Sequence, residues 1–597
     1  MIHARLTRFL VTIALAVPAF PAFGQGDPQS SPYAGIEAWT KDRDERLAWF
    51  REARFGMLIH LGLYSGAAGT WPPGAQDIRQ DERQHPEWIR TWASIGKEDY
   101  ERTLKPLFRP EPGCTDEWAK LAKDAGMRYA ILSAKSEEGY TLFNSAAGST
   151  NISPAGRDLF GEFVASIRKQ QLMPGVYYSL VDWNHTEASR YPLYLQEHFK
   201  ELATDYGPLG ILWVDGSTAA HEASRWGTKQ LLETWRNHQP ASVINNRFWN
   251  GLENPNGDFM TPERYVLPSA IDGRMFEVRH TLNDQLGFRG ENVPWKSQRE
   301  VLLLLSDVAS KEGNLLLGIG PDASGHIPEK AADVLRRTGE WLKTHGEAIY
   351  GTGPTPFLAP TFNGRCTVAE RDGTHILYCH LHEWPQGGVV SLDGLSTRCV
   401  SAVMMGEEPL DLEVSNVSWP TISLPQLPPD RNNPLPVIAA RLEGKPTIDP
   451  IPYPMQGVDR TVTLTASQAI LVPGPGTVNP LRMEGRHVGF WSQKADSLWF
   501  PVIIKHPGKF RVVVEASVSR PCGGEIEIRV LDQALRLPLE PTGDDWSNFV
   551  DLEAGVVRIP QPGLHVIHFR PIRIDSYGLM NLRTVRLLPV DEEERHD

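Results

Sequence analysis

Between about Tyr33 and Thr352 the chain alternates short β-branched, apolar runs with amphipathic stretches. No other feature of the sequence constrains the fold as much. The runs read as strands are Phe55–His60, Tyr129–Lys135, Gly175–Leu180, Gly210–Asp215, Ser242–Arg247, Phe276–Leu282 and Asn314–Ile319. Helical patterns lie between them at Asp116–Ala125, Asp158–Gln170, Tyr191–Tyr206, Glu222–Asn237 and Gln298–Ser310, the last opening with Ser297 and Glu300 in capping-box spacing. This rhythm predicts an α/β fold, a (β/α)8 TIM-like barrel over residues 33–352. An open nucleotide-binding sheet is disfavoured, because no Gly-rich phosphate loop follows the first strand.

After Tyr350 the helical patterns stop, and Pro, Gly and short alternating strands take over. Residues 353–472 therefore read as a β-sandwich, residues 473–480 as a Pro/Gly-rich linker, and residues 481–590 as a second β-sandwich in which Trp491 and Trp499 could stack on sugar rings. At the other end, Arg5 and Arg8 precede the apolar stretch Phe9 to Phe20 and the small-x-small site Ala22-Phe23-Gly24. That pattern predicts a signal peptide over residues 1–24 and a secreted or periplasmic protein with no membrane attachment after cleavage. The formal charge of −13, without any Lys/Arg cluster, argues against a nucleic-acid partner. The five cysteines show no C-x-x-C spacing, so neither a metal site nor a redox pair is expected; one disulfide within Cys366, Cys379 and Cys399 is allowed. Assembly into an oligomer is left open.

Catalytic groups of such barrels gather at the C-terminal ends of the strands. Asp215 follows Ile211-Leu212-Trp213-Val214 and precedes Gly216, so it stands at such an end, where an Asp can also cap the next helix. Glu263 lies in Asp258-Phe259-Met260-Thr261-Pro262-Glu263. Glu277 lies inside Phe276-Glu277-Val278-Arg279-His280, where a buried carboxylate needs a partner such as Arg247 or Arg279. Two carboxyls facing one sugar are what glycoside hydrolysis requires. Neither a Gly-x-Ser-x-Gly elbow nor a His-Glu-x-x-His pattern is present, which removes the best support for serine or zinc hydrolases.

The stretch from Trp49-Phe50 through Ala53-Arg54-Phe55-Gly56-Met57-Leu58-Ile59-His60-Leu61-Gly62-Leu63-Tyr64-Ser65 resembles the opening strand of glycoside hydrolase family 29, the α-L-fucosidases. Leu212-Trp213-Val214-Asp215-Gly216 resembles that family's nucleophile strand. Asn314-Leu315-Leu316-Leu317-Gly318-Ile319-Gly320-Pro321, Gly325-His326-Ile327-Pro328 and Gly346-Glu347-Ala348-Ile349-Tyr350 resemble the end of its barrel. The resemblance implies retaining hydrolysis of an α-L-fucoside by double displacement, without a cofactor, with a fucosylated or related glycan as substrate. Asp215 takes the nucleophile position. Asp258-Phe259-x-Thr261-x-Glu263 matches the acid/base segment of one branch of the family, and Phe276-Glu277 matches a Trp-Glu pair in another. Glu277 is favoured, because a strand would hold it rigidly in the barrel mouth. His60 matches a sugar-binding histidine. Trp71, Lys135, Tyr178, Trp183 and Arg247 are further candidates to contact or line the sugar site.

The departures are specific. Where the family has Lys-His-His-Asp-Gly-Phe, this chain has Lys135-Ser136-Glu137-Glu138-Gly139-Tyr140, and Thr70 stands before Trp71 where the family commonly has Glu. Glu137 and Glu138 are therefore candidates to read a different hydroxyl pattern, or else solvated loop acids. The alternatives to fucoside hydrolysis are the same chemistry on another L-sugar or a substituted fucose, and a non-catalytic glycan-binding protein.

Overall fold

The computed structural model describes residues 42–590 apart from 76–84, 149, 186, 188, 217–225, 249–256, 263–265, 267–274, 284, 291–292, 358–361, 363, 386–387, 418, 450–452, 458 and 473–480. The proposed signal segment and Glu263 lie outside the described residues.

The barrel strands are β1 (Phe55–Ile59), β2 (Tyr129–Lys135), β3 (Met173–Ser179), β4 (Ile211–Asp215), β5 (Val243–Ile244), β6 (Glu277–Thr281) and β7 (Asn314–Ile319). They pair in parallel in the order β5-β4-β3-β2-β1-β7-β6. The two edges meet through a stretch that sequence reading had not assigned to a strand. Asn245 bridges Phe259 and Met260 bridges Phe276, both in parallel. The Asp258 N–H donates to the Ile244 carbonyl at 2.7 Å, and the Arg279 N–H donates to the Pro262 carbonyl at 3.2 Å.

Residues 258–262 thus close the barrel as an abbreviated strand, and local chemistry explains why it stays short. A Cβ on Gly257 would lie 2.6 Å from the Asn246 Cα, so the chain enters by close backbone approach. Pro262 has no N–H with which to extend the ladder. The buried Asp258 carboxylate fixes the seam from behind. It accepts from Arg46 at 2.8 Å, from Arg236, and from the Ile244 N–H at 2.9 Å.

Helices cover the outside of the sheet, at Cys114–Asp124, Leu159–Lys169, Tyr191–Thr204, Thr228–His238, Gln298–Ala309 and Glu329–His345. The expected capping box is present. The Ser297 N–H donates to Glu300 Oε2 at 2.7 Å, and the Glu300 N–H returns to Ser297 Oγ at 3.3 Å. Inside the barrel, Gly56 makes room for the Tyr129 ring, whose Cε2 would lie 2.1 Å from any Cβ there.

The first sandwich pairs a five-stranded sheet (Gly364–Arg371, Thr374–Leu381, Val437–Leu442, Cys399–Met404, Leu410–Leu412) with a three-stranded one. In this sandwich Cys366 and Cys379 stand opposite each other with their Sγ atoms 3.9 Å apart, and all five cysteines are free thiols. The second sandwich packs a six-stranded sheet on a five-stranded one. Its extent differs from the expected boundary. Val462–Thr465 pairs with Asn581–Val590 and Ile470–Val472 pairs with Ser497–Ile504, so strands on both sides of residues 473–480 belong to the same sandwich. Both tryptophans suggested for glycan stacking are buried. Trp491 lies in the sandwich core, while Trp499 packs at the junction with the barrel.

Candidate active site

Asp215 ends β4 at the C-terminal mouth, beside Ser179 at the end of β3. Arg247 Nη1 lies 3.1 Å from its Oδ1, and Arg279 Nη1 lies 3.4 Å from its Oδ2. The Tyr177 hydroxyl donates to Oδ2 at 3.2 Å, and the Gly216 N–H donates to Oδ1 at 3.0 Å. Arg247 is itself held by the seam strand, donating to Thr261 Oγ1 at 2.8 Å and to the Thr261 carbonyl at 3.0 Å. Both guanidinium groups lie over the Trp213 ring, at 4.8 and 5.2 Å. The carboxylate therefore has fixed charged donors, the arrangement that holds a nucleophile or an electrostatic stabiliser in one orientation.

His60 follows β1 and is buried. Its ring stacks on Tyr64 with centroids 5.5 Å apart and meets the edge of Tyr177 at 5.3 Å. Burial pulls its pKa down to about 4, the Arg279 charge adding to that and Glu87 opposing it. The ring is neutral near pH 7, and neither nitrogen has a hydrogen-bond partner among the described residues. Buried polar atoms are nearly always satisfied, so two unsatisfied nitrogens at the mouth of a barrel mark a place for a polar ligand.

The two glutamates that follow β2 have different surroundings. Glu138 is buried and accepts from the Leu63 N–H at 2.9 Å and from the Tyr100 hydroxyl at 2.7 Å, bracing the loop after β1. Glu137 lies on the Asp215 side, where the Tyr177 hydroxyl is 3.4 Å from its Oε1. Burial lifts its carboxyl to about 7, with the Asp215 charge as the next cause and Lys135 opposing.

Glu277 is not at the mouth. It begins β6 opposite Asn314, the first residue of β7, and is fully buried. Its Oε1 accepts from Trp213 Nε1 at 2.9 Å and its Oε2 accepts from the Tyr129 hydroxyl. Two residues along β6, about 7 Å further toward the mouth, it is Arg279 that reaches Asp215. The expectation that Glu277 projects into the mouth is thereby corrected: its carboxyl stands beneath the Trp213 indole, with both oxygens engaged.

Two other expected sugar contacts also serve the frame. Lys135 Nζ is wholly buried and donates to the Ser179 and Val181 carbonyls at 3.0 and 2.8 Å, with Asp182 Oδ2 at 3.6 Å, so it ties the end of β2 to the end of β3. Tyr178 faces the helices, its hydroxyl 2.7 Å from His198 Nδ1. Trp183 is half-buried and its N–H donates to the Glu137 carbonyl at 2.9 Å. Trp71, also half-buried, stacks on Tyr100 with centroids 6.3 Å apart.

Sequence reasoning passed over Tyr177, Arg279 as a partner of Asp215, and Glu87. Strand parity was the available signal for the first two, since Tyr177 pairs with Trp213 two residues before Asp215 and must share its face. Glu87 is buried, accepts from the Gly287 N–H at 3.1 Å, and contributes to the electrostatic environment of His60.

A family profile described as Alpha-L-fucosidase matches residues 27–347. The tissue alpha-L-fucosidase of Homo sapiens is 27% identical over 64% of this chain and 86% of its own length. Among solved structures, alpha-L-fucosidase isoenzyme 1 from Paenibacillus thiaminolyticus is 30% identical with a TM-score of 0.60, covering 68% of this chain and 100% of the other. A GH29 alpha-L-fucosidase from Bacteroides thetaiotaomicron, captured as a trapped covalent intermediate with 2-fluoro-fucosyl fluoride, is 22% identical with a TM-score of 0.60. It covers 67% of this chain and 97% of the other.

Proposed function

Since the chain belongs to the alpha-L-fucosidase family and is a glycoside hydrolase, we propose that it removes terminal α-L-fucosyl or closely related L-glycosyl residues by double displacement, with Asp215 as nucleophile. The observation that carries this reading is the Asp215 carboxylate at the end of β4. It is held by Arg247, Arg279 and Tyr177 beside a neutral His60 whose ring nitrogens have no hydrogen-bond partner among the described residues. In the first step an Asp215 oxygen bonds to the anomeric carbon while the glycosidic C–O bond breaks, and the leaving oxygen takes a proton from the acid/base. In the second, water attacks the same carbon, gives a proton back to the acid/base, and releases Asp215.

Glu263 is the better proposal for that acid/base. It follows Pro262 directly, and the Pro262 carbonyl accepts from Arg279, the residue that contacts Asp215. A retaining enzyme needs its two carboxyls roughly 5–5.5 Å apart, and Glu277 is bonded instead to groups on the barrel floor. A secreted or periplasmic location is part of the proposal, supported by Arg5, Arg8 and the apolar stretch after them.

The test is turnover of aryl α-L-glycosides by the wild type and by Asp215→Ala, Glu263→Ala and Glu277→Ala. Asp215→Ala is expected to lose on the order of 10⁴-fold or more in kcat/KM. Azide, a nucleophile that needs no base, is expected to restore turnover to Glu263→Ala and not to Glu277→Ala. Turnover that survives Asp215→Ala overturns the mechanism, and sugar binding without turnover in the wild type favours the lectin-like alternative.

The second reading, another L-sugar or a substituted fucose, is favoured by Glu137. A carboxyl stands near Asp215 where the resemblance leads one to expect an imidazole.

A further inference from the structure

We propose that Glu137 contacts the glycone and sets its identity, so that the preferred substrate is an α-L-glycoside whose hydroxyl pattern differs from that of fucose on the side facing Glu137. The inference rests on the reading of the chain as a retaining α-L-glycosidase and deepens it at the same site.

Four groups on four strand ends converge here. Asp215 comes from β4, Tyr177 from β3, Glu137 from the turn after β2, and Tyr177 in turn touches the edge of His60 after β1. The Tyr177 hydroxyl has one proton and stands between two carboxyls, 3.2 Å from Asp215 Oδ2 and 3.4 Å from Glu137 Oε1. A neutral Glu137 donates to the tyrosine oxygen, which then donates to Asp215. An ionised Glu137 competes with Asp215 for the same proton. Either way Glu137 presents a side chain adjacent to the nucleophile, so a sugar placed with its anomeric carbon at Asp215 meets Glu137 as well as His60. The turn is anchored by backbone, because the Trp183 N–H donates to the Glu137 carbonyl and Lys135 grips the neighbouring carbonyls.

Glu138 is excluded from this role, since both of its oxygens are committed to Leu63 and Tyr100. Only one of the two adjacent glutamates is therefore a reader of the sugar. An imidazole offers one donor and one acceptor on a flat ring. A carboxyl offers two oxygens about 2.2 Å apart that accept when ionised and include one donor when protonated. A site built to bond a hydroxyl rejects the sugar that lacks it by up to about 10⁴–10⁵-fold. Exchanging the imidazole for a carboxyl changes which hydroxyl is bonded. The titratable groups facing Glu137 are Asp215, Lys135, Glu87, Glu138, Tyr64 and the Tyr177 hydroxyl; burial and the first of these charges keep the carboxyl near 7. Its protonation, and with it the preference among sugars, is set to respond to pH around neutrality.

The experiment compares wild type with Glu137→His and Glu137→Gln on aryl α-L-fucoside, α-L-galactoside, α-L-rhamnoside and α-L-glucoside. Calorimetric binding of the corresponding free sugars runs alongside, and circular dichroism checks folding. In Glu137→His the ratio of kcat/KM on fucoside to that on the best wild-type substrate is expected to rise at least 10-fold. In Glu137→Gln, kcat/KM on that best substrate is expected to fall at least 10-fold, and its selectivity is expected to stop changing between pH 6 and 8. Unchanged ratios in a folded Glu137→His protein, with turnover that still depends on Asp215, overturn the proposal and leave the glycosidase reading intact. Absence of Asp215-dependent turnover overturns the glycosidase reading, and the binding ratios then decide on Glu137 by the same 10-fold criterion.

Discussion

A carboxyl sealed inside a barrel is costly unless both oxygens are used, and Glu277 uses both, through Tyr129 and Trp213. Glu277→Gln leaves one of those donors facing an amide N–H₂. It should lower stability by about 1–3 kcal/mol while changing kcat/KM by less than 10-fold, measured by denaturant unfolding beside kinetics. Burial raises the Glu277 carboxyl to about 7, so the proton-bound form is the one that suits the fold. Its contribution is complete below the unfolded value of about 4.3 and is lost as pH rises through about 7. Glu137 and Glu138, also lifted to about 7 chiefly by burial, act in the same direction. His60, held near 4, opposes them between its unfolded value and that point. The pH dependence of unfolding should therefore be shallower in Glu277→Gln over that window. Asp215 and His60 were legible because each ends an apolar run. The depth of Glu277 was not, since a strand's sequence says which residues share a face and not which layer of the closed barrel they occupy. The choice of Tyr178 over Tyr177 failed by one residue for the parity reason already given.

At the scale of elements, the strand and helix runs were readable to within a few residues, because apolar runs and caps carry them. Ser297→Ala should cost about 1 kcal/mol, visible as a lower unfolding midpoint, since it removes the acceptor at the start of Gln298–Ala309. The strand over residues 258–262 was invisible. It is too short for periodicity, starts after Gly257 and ends at Pro262, and it is recruited by neighbours distant in sequence. Asp258→Ala removes the carboxylate shared by Arg46 and Arg236 and takes the counter-ion from two buried guanidinium groups. A loss of about 3–5 kcal/mol is expected, and because Thr261 holds Arg247, the same variant should reduce kcat even where it remains folded.

The whole molecule is joined by a charged cluster that no single segment reveals. Asp307 on Gln298–Ala309 and Lys311 just past its end meet Arg365 of the first sandwich, and both cations face Trp499 of the second, at 5.1 and 5.4 Å. The two cations hold the Asp307 carboxyl well below the usual carboxylate range despite its burial. Its support is present above the unfolded value of about 3.9 and is lost as pH falls through the folded one. The sequence showed that β-rich units follow the barrel, but it placed their border at a Pro/Gly-rich stretch that has strands of the second sandwich on both sides of it in the chain. Composition marks where a chain turns, not which sheet it rejoins. The junction also governs how the protein comes apart. Detaching the first sandwich takes Arg365 away from Asp307, and detaching the second takes the Trp499 ring away from Lys311 and Arg365, so heating should give one calorimetric endotherm and not three. A chain cut short ahead of Val462 should melt earlier and precipitate, the segment that follows serving the barrel as a structural buttress.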